Sequence, residues 1–338
     1  MRNLLIVIAL FLGVFFIIGR FSEINAIIET FQHGDLLFIF VALIVEVLWL
    51  LNVAASFQAI YRSIGLEETI KELLILATAA NFVNIVAPSV GMGGIAVFVS
   101  QARKRDYSPA RAATAGALYA LFDYLGFFCV LWLGLIVLTR YNHLGAAEIT
   151  ASIILVTAAI LLTVLMYLGA RSSEALGQTL AWMAHQVNRL VRPLIHREYI
   201  SEQHARDFAH DAGEGLQEIR KTPENLLMPA FLALNNKALL LTILLLVFLA
   251  FKVPFTASIV IAGFSIAYLF MIVSPTPSGV GVVEGVLTLT LHSLDIPLEA
   301  AVVVTLAYRG ITFWAPFFFG FLSLRILGNK KIKFTKKN

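Results

Sequence analysis

Most of this sequence falls into apolar blocks that are long enough, or nearly long enough, to cross a lipid bilayer. A transmembrane helix needs roughly 17 to 25 consecutive apolar residues, because the hydrocarbon core of a bilayer is about 30 Å thick. The blocks follow one another along the chain at 4–20, 36–60, 71–87, 91–102, 112–138, 149–170, 226–250, 254–274, 280–294 and 299–324. This pattern predicts an all-α polytopic integral membrane protein.

The composition agrees with a membrane protein. Hydrophobic residues make up 59% of the chain and charged residues only 14%, whereas a soluble domain carries about 25% charged residues. The net charge is +4. In a membrane protein such an excess belongs to cytoplasmic loops, so we expect no nucleic-acid partner. The single cysteine, Cys129, rules out a disulfide within the chain and a cysteine metal cluster.

Two of the apolar stretches are interrupted by residues that break helices. Proline and glycine end helices, and broken backbone at membrane depth is tolerated only in the protein interior or beside a polar cavity. We therefore predict two re-entrant hairpins, each entering and leaving on one side of the membrane. The residues that break them are Pro88, Gly91 and Gly93 in the first and Pro275, Pro277, Gly279 and Gly281 in the second.

The distribution of positive charge predicts the topology. With Arg2 inside and both hairpins re-entrant, 20 of the 25 Lys and Arg residues fall on the cytoplasmic side. Only Arg20, Arg140 and Lys252 fall outside, and the remaining two lie within the membrane. Cytoplasmic loops carry an excess of Lys and Arg, so we expect both termini in the cytoplasm. No targeting signal is recognisable, which favours a prokaryotic plasma membrane.

An internal repeat relates the two hairpins. The Gly91-x-Gly93 and Gly279-x-Gly281 patterns lie 188 residues apart, and Pro109 and Pro297 have the same offset. In the predicted topology the first hairpin opens to the cytoplasm and the second to the outside, so the repeats are inverted. Inverted repeats with broken helices are typical of transporters.

The predicted organisation has six segments. They are a first transmembrane helix with an outer loop (1–35), the first repeat (36–140), a connecting transmembrane helix (141–170), a cytoplasmic amphipathic segment (171–223), the second repeat (224–328) and a basic cytoplasmic tail (329–338).

Four ionisable residues, Glu46, Asp123, Lys237 and Arg309, lie near the middle of apolar blocks, and a fifth, Glu284, lies just past the second helix break. Each is expensive there unless it is paired or hydrated. In one interpretation, Glu46 pairs with Lys237, or Asp123 with Arg309, and the pairs only fix helix packing. In the other, a polar cavity between the repeats binds an anionic group such as a lipid phosphate through Arg309 and Lys237. Glu46, Asp123 or Glu284 would then exchange a proton or an ion.

Two amides complete the set of candidate site residues. Asn81 and Asn84 lie three residues apart on the first hairpin and share a helix face, although amides in spans also serve as ordinary contacts between helices. The candidate substrate-binding residues are Arg309, Lys237, Glu284, Asn81 and Asn84. The candidate coupling or ion-pair residues are Glu46 and Asp123.

The segment 171–223 is the one long polar stretch. Leu176, Leu180, Met183 and Val187 recur at helical spacing, and Trp182 and several arginines accompany them. This predicts an amphipathic helix that lies on the inner leaflet or, alternatively, packs on the loops. It is also the surface expected to bind a membrane enzyme partner.

Motifs typical of enzymes are absent from the sequence. It contains no Walker A sequence, no His-Glu-x-x-His, no Gly-x-Ser-x-Gly and no carboxylate cluster of the metal-site type. We therefore expect no metal, no cofactor and no enzymatic activity.

Two stretches of the chain resemble a known family. One runs from Asn84-Ile85-Val86-Ala87-Pro88 to the basic loop Arg103-Lys104-Arg105. The other is the Pro-x-Pro-x-Gly-x-Gly-x-x-Glu string that begins at Pro275, followed by Tyr308-Arg309. Together they resemble the flippase-like family, also called the lysylphosphatidylglycerol synthase transmembrane family. Relatives commonly have Gly where this chain has Ser278.

The resemblance implies movement of a phospholipid or a polyprenyl-phosphate-type lipid between leaflets. Bifunctional relatives carry an aminoacyl-transferase domain after the membrane part, and we expect none here because the sequence ends at Asn338. The alternative is a scaffold that does not transport and that binds a glycosyltransferase or a lipid-modifying enzyme. A transporter of a soluble solute would share the same architecture.

Overall fold

The protein is helical throughout the residues that the computed structural model describes, which are 21–86, 92–105, 107–195 and 201–329. It is 88% helical and has no strand in these ranges. The helices are α1 (Phe21–Gln32), α2 (Leu36–Ser63), α3 (Ile70–Val86), α4 (Met92–Ala102), α5 (Pro109–Arg140), α6 (Ala146–Arg171), α7 (Ser173–Ile195), α8 (Glu202–Lys221), α9 (Leu227–Ala250), α10 (Ala257–Val273), α11 (Val282–Ser293), α12 (Leu298–Arg309) and α13 (Ala315–Asn329).

Five helical runs in the described ranges are long and apolar enough to cross a membrane. They are α2, α5, α6, the run Pro223–Ala250 and the run Leu298–Gly328. Each coincides with one of the apolar blocks, so the polytopic all-α class is confirmed. The first block, 4–20, lies outside the described residues. The inverted relation of the repeats and the cytoplasmic termini stay predictions.

Helix α1 lies within the first predicted segment, 1–35. Residues 21–32 of that segment form a helix. Ile27 and Phe31 lie one turn apart on it, and both pack against Gly310. A short helix with several polar residues can thus bury one apolar face.

The first predicted helix break falls between α3, which ends at Val86, and α4, which begins at Met92. Pro88 and Gly91 lie outside the described residues. Gly93 is the second residue of α4. The amide of Gly94 donates to Asn84 Oδ1 at 2.6 Å, so a side chain from α3 satisfies one of the free N–H groups at the start of α4.

The second predicted break is a real interruption of the helices. Helix α10 ends at Val273, a 3₁₀ turn spans Pro277–Gly279, and α11 begins at Val282. The backbone takes positive φ at Ser278 (49°), Gly279 (68°) and Gly281 (83°). At 17 and 12 residues, α10 and α11 extend about 25 and 18 Å, which is short for a full crossing. A re-entrant course stays a prediction.

The described residues divide into two compact units. The first unit takes its residues from 1–51, 71–97 and 239–338, and the second from 52–70 and 98–238. Each unit therefore contains parts of both predicted repeats, and the boundaries of the units do not follow the boundaries of the repeats.

Close helix contacts at glycines organise both units. In the first unit, a Cβ at Gly320 of α13 would lie 2.4 Å from the backbone oxygen of Thr78 in α3. Beside this contact, the Thr78 and Ser323 hydroxyls are hydrogen-bonded at 2.8 Å. In the second unit, a Cβ at Gly126 of α5 would lie 2.9 Å from the backbone of Ala233 in α9. Small residues at these points let the helix backbones approach closely.

Helices α7 and α8 pack together in the second unit. Leu176 of α7 is buried in a cluster with Ala110, Ala209 and Ala212. At the start of α5, Arg111 donates to Glu214 of α8 at 2.7 Å. The part of segment 171–223 around Leu176 is thus covered by its own unit, whereas Trp182 and Val187 are exposed. Both interpretations of this segment stay predictions.

We expect Gly126→Ala to destabilise the protein. The added methyl group would meet the backbone of Ala233, which has no rotamer to move into, so α5 must shift away from α9. The expected loss is about 1–3 kcal/mol. Thermal unfolding in detergent, followed by circular dichroism, measures it. Gly285→Ala is the control, because a Cβ there meets nothing within 4 Å and alanine favours helix. Equal losses in the two variants would contradict the close contact.

The left-handed turn predicts opposite effects at neighbouring residues. Ser278→Gly should stabilise the protein by about 1 kcal/mol, because a side chain at positive φ is strained. Gly279→Ala should destabilise it, because its Cβ would lie 2.5 Å from Val283 Cγ2 and 3.0 Å from Met271 Cα. The melting temperatures of the two variants measure these effects. If both rise or both fall relative to the parent, this backbone geometry is refuted.

Candidate functional site

Arg309 and Glu284 form a buried ion pair in the first unit. Arg309 Nε lies 2.7 Å from Glu284 Oε1, and the two side chains are 4% and 16% exposed. Arg309 Nη2 also donates to the backbone oxygen of Ser278 at 3.4 Å. On another side, the guanidinium carbon lies 4.5 Å from the ring centre of Phe313. The pair thus joins α11, α12 and the helix break.

The local backbone explains why these groups meet. Glu284 is the third residue of α11, and its Oε2 accepts from the amide of Gly281 at 2.7 Å, as in a capping box. Arg309 ends α12, and the next residues, Gly310–Trp314, form a π-helical turn. Such turns are rare and frequently mark functional sites. Gly310 lets α1 pack closely at this turn, since a Cβ there would lie 2.8 Å from Ile27 and Phe31.

One edge of the Arg309 guanidinium is uncommitted. Nε binds Glu284 and Nη2 points to Ser278, whereas Nη1 makes no hydrogen bond to any residue in the described ranges. Guanidinium N–H groups are strong donors to carboxylate and phosphate oxygens. The arrangement therefore leaves a donor that an anionic ligand would satisfy.

Lys237 and Asp123 form a second buried ion pair, in the second unit. Lys237 Nζ lies 2.5 Å from Asp123 Oδ1, with the side chains 1% and 13% exposed. Gly126 and Ala233, one turn away from Asp123 and Lys237 on their respective helices, make the close contact of α5 with α9. The close helix contact and the short ion pair thus occur side by side.

Amides and a tyrosine surround this second pair. Asn235 donates to Asn52 Oδ1 at 2.8 Å, Asn52 donates to the backbone oxygen of Leu232 at 2.9 Å, and Asn236 donates to the Tyr119 hydroxyl at 3.3 Å. A narrow crevice, with about 190 Å³ of empty space including its open mouth, borders the network. Its polar lining is Ser56, Tyr119, Asp123 and Asn236.

Glu46 is the exception among the five ionisable residues. It lies on α2 in the first unit, is 1% exposed, and neither of its carboxyl oxygens has a hydrogen-bond partner among the described residues. The apolar residues Ala42 and Leu50, one turn away on either side, are buried with it. A buried carboxyl without a partner is costly and needs a functional explanation.

The pairing therefore differs from the structural alternative suggested by the sequence. Lys237 binds Asp123 and not Glu46, and Arg309 binds Glu284 and not Asp123. The offset of 188 residues relates positions along the chain, but side-chain contacts depend on which helices pack within a unit.

The structure assigns the two predicted amides different positions. Asn84 caps α4 through Gly94, which is a structural role. Asn81 is half-buried on α3. Several contacts of the ion pairs were missed from the sequence, because Phe313, Tyr119, Asn236 and the Ser278 carbonyl carry no pattern that distinguishes them from packing residues. No group of three or more potential metal-ligating side chains occurs within the described ranges.

Buried ion pairs on apolar helices, one of them at a helix break, define an integral membrane protein with internal polar sites. A family model described as the lysylphosphatidylglycerol synthase TM region matches residues 4–320. The chain belongs to this family, and the resemblance noted in the sequence is confirmed. The comparison with curated proteins gives no match.

We expect Asp123 and Lys237 to be energetically coupled. Asp123→Asn leaves a buried ammonium without a counter-charge and should cost about 3 kcal/mol. Adding Lys237→Met should recover part of that loss, so that the double-mutant cycle gives a coupling of about 1–3 kcal/mol. Equilibrium unfolding of the four proteins in detergent measures the cycle.

The pair Lys221–Glu218 provides the matched control. Its atoms are 2.7 Å apart, but the side chains are 69% and 48% exposed. Exposed pairs contribute at most about 1 kcal/mol. A coupling for Asp123 and Lys237 no larger than for this exposed pair would refute a buried ion pair.

Proposed function

We propose that this protein moves an anionic lipid, of the phospholipid or polyprenyl-phosphate type, between the leaflets of a membrane without ATP hydrolysis. The observation that carries the proposal is Arg309, a buried guanidinium at a helix break that keeps one donor edge unused among the described residues. The family is associated with lipid-related membrane proteins, and this supports the proposal.

The geometry suits a phosphate. Glu284 and Phe313 hold the guanidinium on two sides, so its orientation is set before a ligand arrives. A preorganised donor loses little freedom on binding. A phosphate approaching Nη1 would gain charge-assisted hydrogen bonds in an apolar surrounding, where such bonds are stronger than in water.

The helix break supports translocation over a fixed site. Short helices α10 and α11 meet at a turn of unusual φ, and the π turn follows Arg309 directly. Broken helices at membrane depth are typical of proteins that carry a substrate across the bilayer. A purely structural ion pair requires neither feature.

Lys237 with Asp123 is a candidate second site. Asp123 lines a narrow crevice, and the amides of Asn235 and Asn236 donate within the same polar network.

The experiment uses the purified protein in liposomes that carry fluorescent phosphatidylglycerol or polyprenyl phosphate. A bilayer-impermeant quencher removes the outer-leaflet signal, and further loss reports flipping. We expect Arg309→Ala to slow flipping at least tenfold, since a hydrogen bond to a charged group contributes about 1.5–3 kcal/mol. Glu284→Gln should also slow it, because Arg309 loses the partner that positions it.

Arg325→Ala is the matched control. Arg325 follows Arg309 on the same run Leu298–Gly328 and lies 5.8 Å from the ring centre of Phe321, but it is exposed. Its loss should leave flipping unchanged. If Arg325→Ala and Arg309→Ala slow flipping equally, Arg309 is not the lipid-binding site. The proposal that the protein flips lipid would still stand.

Absence of flipping for every lipid would overturn the proposal and favour a scaffold. The surface for a partner would then be segment 171–223, where Trp182 and Phe208 are exposed on helices α7 and α8.

A further inference from the structure

Glu46 is a buried acid that the ion pairs do not use. It is the eleventh residue of α2, about 15 Å along the helix from Leu36, and therefore close to the middle of a span. Exposed apolar side chains, Leu43 and Val47 among them, cover the outer face of α2 here, whereas Glu46 belongs to the buried stripe with Ala42 and Leu50. Glu46 therefore lies on the buried side of α2.

The surroundings of Glu46 fit a proton better than any other cation. Metal cations such as Ca²⁺ and Mg²⁺ are held by several oxygen ligands. Neither Glu46 oxygen has a hydrogen-bond partner in the described part of the chain, and no group of three or more metal-ligating side chains occurs there. A carboxylate buried in this way is far more costly than the neutral acid, which needs no counter-charge.

Glu46 is also close to the proposed lipid site. Tyr308 of α12 lies within electrostatic range of Glu46, and Arg309 is the next residue along that helix. All three belong to the first unit. An ionised Glu46 would place a negative charge beside the helix that offers its guanidinium to an anion.

We propose that Glu46 is a proton-binding site whose occupancy controls the binding of an anionic headgroup at Arg309. With the proton bound, the Glu46 O–H bond is intact and Glu46 adds no negative charge beside the Arg309–Glu284 pair, so an anion can share the guanidinium. When that bond breaks, the proton passes to water and the carboxylate remains. The carboxylate then repels the incoming anion and competes with it for Arg309. This inference rests on the proposed function.

The test is the pH dependence of flipping in the same liposomes. Phosphatidylglycerol is the probe, because its phosphodiester keeps one negative charge throughout. We expect the parent rate to fall as pH rises, by up to tenfold per pH unit once the proton is lost, as for a single site. Glu46→Gln cannot ionise, so its rate should not vary with pH. Glu46→Asp retains a carboxyl and should retain the fall.

Two controls separate Glu46 from its neighbours. Tyr308→Phe should keep the decline of the parent, which shows that the tyrosine is not the group that titrates. Glu299→Gln removes an exposed acid from the same helix, α12, and should behave as the parent. If Glu46→Gln and the parent show the same pH profile, the inference fails while the proposed function stands.

A spectroscopic readout does not depend on transport. The infrared band of a protonated carboxyl group should be present in the parent at neutral pH, lost in Glu46→Gln and retained in Glu299→Gln. Absence of this difference would overturn the inference even for a protein that flips lipid. A third result is a band that depends on Glu46 in a protein that flips no lipid at any pH. That result would overturn both the proposed function and the proposal that Glu46 controls headgroup binding.

Discussion

The cost of placing a charge in an apolar environment governs this structure. Lys237 and Arg309 are almost completely buried, and each is balanced by a carboxylate within hydrogen-bond distance. Removing one partner of such a pair is expensive, whereas the pair itself adds little stability over apolar residues of similar size. Buried charges of this kind therefore contribute little stability, and the loss of either partner destabilises the protein. Such charges are expected where a membrane protein needs them for its activity.

The same constraint acts on the backbone where helices are interrupted. The first turn of a helix has N–H groups without intrahelical partners, and each must be satisfied locally in an apolar surrounding. Asn84 accepts from Gly94, and Glu284 accepts from Gly281. Glu284 therefore has two roles, since one oxygen caps α11 and the other holds Arg309. The helix break and the charged site depend on a single side chain.

The sequence predicts the helices well because bilayer thickness imposes their length and composition. The apolar blocks coincide with the long helices, and the second break falls where Pro275 and Pro277 place it. It also identifies the ionisable residues, since few charges occur within apolar blocks. It does not predict their pairing: Lys237 and Asp123 are 114 residues apart, and their contact follows from how closely Gly126 lets two helices approach. Helix α1 is not among the apolar blocks for a related reason. Its apolar face is recognised only from its contact with Gly310.

The π turn at Gly310–Trp314 has a consequence for the register of the last helix. A π turn contains one residue more than an α turn, so it advances the side chains beyond it by about 100° around the axis. Arg309 on one side of the turn and Gly320 on the other thus face directions that an uninterrupted α-helix would not give them. Deleting one residue of the π turn would restore a regular α-helix. It would also rotate α13, so that Gly320 would no longer face Thr78. The π turn thus lets Arg309 face Glu284 while Gly320 faces Thr78.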